Sequence, residues 1–144
     1  MAKRYFPDLT QFMIMGERNY ARLLKLVPDW EKGNQYVYRC GDNQHIIIRI
    51  NELFKYTAEI FILFEFNQSH HWTPAQEMTV RLYHDANLAE VIATKEYAKL
   101  EPVYEFPNPE GRYPDEKQQM NRLLSDWLVH CLDSGYIEGD YLSS

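Results

Sequence analysis

From Tyr36 to Thr94 the chain returns repeatedly to period-two alternation, and the links between its alternating runs are too short to hold a helix. Tyr36–Cys40 leads through Gly41-Asp42-Asn43, residues that tolerate turn dihedrals, into Gln44–Asn51, which predicts a hairpin. Along the return strand Ile46, Ile48 and Ile50 share one face, and His45, Ile47 and Arg49 the other. Tyr56–Asn67 sets Ala58, Ile60, Ile62, Phe64 and Phe66 against Thr57, Glu59, Phe61, Leu63 and Glu65. Phe61 and Leu63 break the polar side of that pattern, so cover is expected on both faces near the strand centre. Gln68–Ala75, with Ser69-His70-His71-Trp72-Thr73-Pro74, reads as a loop. Met78, Val80 and Leu82 then alternate with Thr79, Arg81 and Tyr83, and Asp85-Ala86-Asn87 turns the chain. In Leu88–Thr94 the Ala, Leu and Glu content favours helix, whereas Ala89, Val91 and Ala93 alternate; the preceding turn decides for strand. Links of this length pair strands antiparallel, because a parallel crossover needs about a dozen residues or more.

Two helical stripes flank these runs. Pro7 and Asp8 open the first, whose Leu9, Phe12, Met13, Gly16, Tyr20, Leu23, Leu24 and Val27 recur at helical spacing until Pro28 stops it. Tyr97–Phe106 adds an edge strand limited by Pro102, and Pro107-Asn108-Pro109-Glu110-Gly111 is a loop. Pro114, Asp115 and Glu116 open the last helix, carrying Met120, Leu123, Leu124, Trp127, Leu128 and Cys131 on one stripe up to Gly135. The predicted fold class is therefore α+β: a single domain over residues 1–144, with flexible ends at about 1–5 and 138–144. It has an antiparallel sheet of about five or six strands, with an N-terminal and a C-terminal helix packed on one face. A chain of 144 residues matches one domain of about 100–200 residues.

The formal net charge of −6 argues against a binder that neutralises nucleic-acid phosphates, and Lys3-Arg4 is too short a basic cluster to reverse that. Cys40 and Cys131 lack Cys-x-x-Cys spacing and fall in apolar patterns, the placement of small buried hydrophobes, which favours a reducing cytoplasm. The basic N-terminus is followed by no apolar run, so no signal peptide is expected. No run approaches the ~18–20 apolar residues of a membrane helix. Eleven tyrosines, most of them in strand-like runs, suit half-buried sheet faces and binding surfaces alike.

The densest cluster of reactive side chains is Arg81, Tyr83, His84, Asp85 and Glu90. Arg81 and Tyr83 share a strand face and can present two donors to an anion, with His84 and Asp85 completing a candidate ligand site. His84, Asp85 and Glu90 are the candidates for general acid–base work, although alternation turns His84 away from Asp85. The competing readings are a packed histidine and a turn-stabilising aspartate. His70-His71 lacks convergent partners, so no metal site is expected, and Asp115-Glu116-Lys117 with Asn121 fits ordinary first-turn charge placement. Phosphate-cradling glycine loops and the nucleophile elbow are absent, and no cofactor is implied. The residues point to a cytoplasmic binding or regulatory module for a protein or small anionic ligand. The alternative is a small hydrolase-type enzyme using Tyr83-His84-Asp85, metal-dependent or not. An apolar outer sheet face around Phe61 and Leu63 would serve a homodimer or a covered core equally well.

The run Met78-Thr79-Val80-Arg81-Leu82-Tyr83-His84-Asp85-Ala86, continuing through Ala89-Glu90-Val91, resembles the YqiB-like family of uncharacterised bacterial proteins. The resemblance extends to Arg4-Tyr5 with Pro7-Asp8, Tyr104 with Pro107-Asn108, Asp115-Glu116-Lys117 with Asn121, Asp126-Trp127-Leu128 and Cys131-Leu132, and is weakest over Glu31–Glu77. It implies one cytoplasmic domain, and no activity or site residues.

Overall fold

In the computed structural model, which describes residues 9–41, 43–68, 71–97, 104–105 and 114–137, the alternating runs become five long strands between two helices. Helix α1 (Leu9–Leu26) is followed by β1 (Gln35–Cys40), β2 (Gln44–Leu53), β3 (Thr57–Gln68), β4 (His71–Tyr83) and β5 (Leu88–Glu96). A short β6 (Tyr104–Glu105), α2 (Pro114–Ser134) and a short β7 (Gly135–Ile137) complete the described chain. All pairings are antiparallel, in the order β6-β5-β4-β3-β2-β1-β7, so the five long strands form a meander. The α+β class and the placing of both helices follow the sequence; β7 is an addition to the predicted strands. No described helix is long and apolar enough to cross a membrane. The helix start read at Pro7-Asp8 and the ends read as flexible, at about 1–5 and 138–144, lie outside the described residues.

One predicted loop is not a loop. Most of Gln68–Ala75 belongs to a long β3–β4 hairpin in which Phe66 pairs with Thr73, Asn67 with Trp72 and Gln68 with His71. Pro74 is tolerated for two local reasons. It lies beyond the stretch of β4 that pairs with β5, which begins at Gln76, so among the described residues no strand on that side asks for its missing N–H. The register also slips between Phe64 and Glu65, leaving Ala75 as the extra residue of a bulge. A second bulge between Thr79 and Val80 leaves Ile92 unpaired and carries Thr94 into the interior, where its hydroxyl accepts from Gln76 Nε2 at 3.1 Å.

The core lies between the helices and one sheet face. Ile46, Ile48, Ile50, Ala58, Ile60, Ile62, Met78, Val80, Leu82, Ala89 and Val91 are buried there beside Leu23, Leu124 and Leu128. Each fully buried aliphatic side chain contributes about 1.5–3 kcal/mol relative to exposure. Tyr36 and Tyr38 join this face and finish α1: the Tyr38 hydroxyl donates to the Leu26 carbonyl at 2.6 Å and the Tyr36 hydroxyl to the Asp29 carbonyl at 2.7 Å. Strand β1 thus satisfies the Leu26 carbonyl, left without a helical partner where α1 ends, and pins the Asp29 turn that follows. On α1 the buried line is Gly16, Asn19, Tyr20, Leu23 and Leu26, while Leu9, Met13 and Leu24 from the predicted stripe are exposed. The line moved because α1 faces both β5 and α2, and the α2 side takes a polar residue, Asn19. The two helices run in the same direction, with Phe12 beside Lys117, Asn19 beside Asn121 and Arg22 beside Ser125.

Gly16 sets how closely α1 sits on β5. A Cβ there would lie 3.0 Å from Leu88 Cδ2 and 3.2 Å from the Ala89 carbonyl oxygen. Gly16→Val should therefore lower stability by about 2–3 kcal/mol, read from urea unfolding, because the backbone of β5 has to move. At the far side of the core the thiols of Cys40 and Cys131 lie 3.3 Å apart, both free and buried. The bond to Cys40 and then burial push the Cys131 thiol up. Neither thiol should react with iodoacetamide in the folded protein at mildly alkaline pH, and both should react in urea, as counted by intact mass.

Candidate functional site

The predicted cluster is divided between the two sides of the sheet. Arg81, Tyr83 and Glu90 share the face that the helices leave uncovered. There Arg81 Nη2 donates to Glu59 Oε2 at 2.8 Å and the Tyr83 hydroxyl donates to Glu90 Oε1 at 3.1 Å. Register sets Arg81 between Glu59 and Glu90. The Glu59 hydrogen bond raises the Arg81 guanidinium further, and burial followed by the Glu90 charge raises the Tyr83 phenol. The second Glu90 oxygen pairs with Lys117 of α2. Both donors proposed for an anion are thus already engaged by carboxylates of the chain itself.

His84 lies on the other side, half-buried, with Nδ1 2.8 Å from the Tyr20 hydroxyl and the two rings edge to face. Asp85 is exposed in the turn, where Asn87 takes the positive φ of 53°. The structure brings Arg81, Tyr83 and Glu90 together, and separates His84 and Asp85 from them. Asn121 accepts from the Val91 N–H at 2.9 Å, sealing the edge of β5 where β6 does not reach. Lys117 and Asn121 therefore clamp α2 to the sheet, while the side chains of Asp115 and Glu116 lie outside the described ones. His71 is exposed, and His70 is outside the described residues. Among the described residues, no group of three or more His, Cys, Asp or Glu side chains is placed to hold a metal ion.

The uncovered face has three zones. At one end stands the Glu59–Arg81–Glu90 row. In the middle Val37, Ile47, Phe61 and Leu63 are half-buried, and a cavity of about 280 Å³ is lined by Gln35, Ile47, Arg49, Phe61, Leu63 and Glu77. Among the described residues Arg49 reaches only the neutral Gln35 Oε1, at 3.2 and 3.1 Å. At the other end His45 stacks on Trp72 with centroids 3.4 Å apart, Arg39 lies over the same indole, and Glu65 is 3.8 Å from His45 Nδ1. Sequence reasoning flagged Phe61 and Leu63 but missed the His45–Trp72 stack. Placing Trp72 in a loop hid that it pairs with Asn67 in the next register step.

The chain belongs to a family known only as proteins of unknown function, DUF1249, whose model matches residues 22–137. This chain folds as a two-layer α+β domain whose helices leave one sheet face uncovered. The chain is 35% identical over 133 residues to the uncharacterised protein YqiB of Escherichia coli K12, covering 92% of this chain and 94% of that one. The same protein of Escherichia coli O157:H7 shows the same identity and coverage. No solved structure matches.

On the open face Tyr97 donates its hydroxyl to Glu77 Oε1 at 2.7 Å, and that bond, then burial, pushes its phenol up to about 12. Folding therefore holds this proton more tightly than the unfolded chain, whose tyrosine ionises near pH ~10. The stabilisation is fully present below about pH 10 and is lost as pH rises towards the folded value. Alkaline titration of phenolate absorbance should lose a late component in Tyr97→Phe, and that variant should lose less stability between about pH 10 and 12.

Proposed function

We propose that this chain is a non-catalytic binding or regulatory module that receives a partner protein on its uncovered sheet face. The observation that carries the reading is Arg49, a guanidinium set among half-buried Ile47, Phe61 and Leu63 with no carboxylate partner among the described residues. A surface of this kind fits a partner that inserts an apolar side chain and places a carboxylate beside it. Burial would strengthen such a charge-assisted pair. The flanking His45–Trp72 stack adds a rigid aromatic anchor of the type found at interface hot spots. The separation of Tyr83 from His84 supports binding over the hydrolase alternative. A cytoplasmic setting is part of the proposal, consistent with two buried free thiols side by side.

The test is in-cell crosslinking of tagged protein followed by mass spectrometry. Crosslinks from Lys95, on the open face, should be lost in Arg49→Glu and Phe61→Ser and kept in Leu24→Ser on the helical side. Affinity for the captured partner should fall at least about tenfold in the two face variants. Retention of the same partner by both variants, with folding intact by circular dichroism, overturns the reading. A captured second copy of this chain, lost in the same variants, would identify the partner as the homodimer mate.

A further inference from the structure

A different part of the molecule carries a second kind of site. Between α1 and α2 runs a groove of about 360 Å³, lined by Gln11, Ile14, Met15, Arg18, Arg22 and Ser125. That volume is within the usual ~300–1,000 Å³ range of small-molecule sites. Arg22 is held in place: its Nη1 donates to Asn19 Oδ1 at 2.9 Å and to Ser125 Oγ at 2.8 Å. Asn19 is fully buried and is itself tied through Nδ2 to the Asn121 carbonyl at 3.4 Å. A guanidinium carries five N–H donors, so one anchored nitrogen leaves the rest of the fork to face the groove.

Arg18 stands one helical turn before Arg22, exposed and on the same wall. Two guanidinium groups at this spacing repel each other unless something negative lies between or beside them. Among the described residues no carboxylate pairs with either of them. Three and four residues from these arginines stand Ile14, Met15, Ala21, Asn19, Lys25 and Leu26. Among the described residues neither arginine has an ion pair, and the described groove lining has no carboxylate. This concentration of positive charge occurs in a chain of net charge −6. Beside it, Ile14 and Met15 give the groove an apolar wall, and Gln11 closes it about 16 Å along the helix from Arg22.

We propose that this groove binds a small organic anion, its phosphate or carboxylate held by Arg18 and Arg22 and its apolar body lying along Ile14 and Met15. Planar guanidinium forks match both head groups. The site shares no lining residue with the open sheet face, so either can fail without the other.

The experiment is isothermal titration calorimetry of the full chain with hexyl phosphate and with hexanoate, using inorganic phosphate and hexanol as comparison probes. Saturable one-to-one binding of at least one hexyl anion is expected, and the tighter of the two identifies the head group. Hexanol should not bind, and inorganic phosphate should bind at least about tenfold more weakly than the preferred hexyl anion. Arg18→Gln, at an exposed position that leaves the Asn19–Arg22–Ser125 contacts intact, should keep the thermal midpoint and weaken binding at least about tenfold. Arg22→Gln should weaken it further. The proposal is overturned if neither anion saturates the protein at millimolar concentration, or if Arg18→Gln binds as tightly as the parent. Equal affinity for inorganic phosphate and hexyl phosphate would overturn the apolar part.

Discussion

The rest of the structure depends on burying one side of the meander. Ile46, Ile48 and Ile50 of β2 lie beside Phe64, Ile62 and Ile60 of β3, and Ile62, Ile60 and Ala58 lie beside Met78, Val80 and Leu82 of β4. This continuous apolar surface has to be covered, and among the described elements the two helices have stripes broad enough to cover it. Once both helices occupy that side, no described element covers the opposite face. The open face is thus a consequence of helix number and placement, and its chemistry is what Arg49, Phe61, Leu63, His45 and Trp72 make of it.

The interface between the helices solves a different problem. Near its N-terminal part α2 covers the edge of β5, where the Val91 N–H needs an acceptor that β6 is too short to give. Asn121 supplies it, and its own backbone carbonyl accepts from Asn19, which in turn orients Arg22. One chain of hydrogen bonds therefore links the edge of the sheet to the wall of the interhelical groove. Such a buried network is stabilising only when every member is satisfied, and no buried side-chain polar atom among the described residues lacks a partner. The same network makes Arg22 a fixed feature of the groove.

The cluster from Arg81 to Glu90 shows how a dense set of reactive side chains can be structural. Arg81 neutralises Glu59, Tyr83 and Lys117 share Glu90, and His84 closes on Tyr20. The arrangement ties β3, β4, β5 and both helices together at one end of the domain. Arg49, Arg18 and Arg22, which have no carboxylate partner among the described residues, lie elsewhere, on the uncovered sheet face and in the interhelical groove.

Alternation read β2, β3 and the Met78–Tyr83 part of β4 with their faces, and the turn before Leu88 settled β5, because a period of two leaves little freedom once one side is buried. It also placed Arg81 and Tyr83 together and His84 apart. What the sequence alone could not show was where the chain departs from periodicity. The bulge at Ala75 lets Pro74 sit in a strand and brings Trp72 over His45, and the parallel packing of α1 and α2 puts Asn19 inside and Met13 outside. These features depend on which backbone edge or helix flank ends up beside which partner. Local pattern determined the elements and their inward faces; only the tertiary structure decided which charges were neutralised and which were left facing open surface.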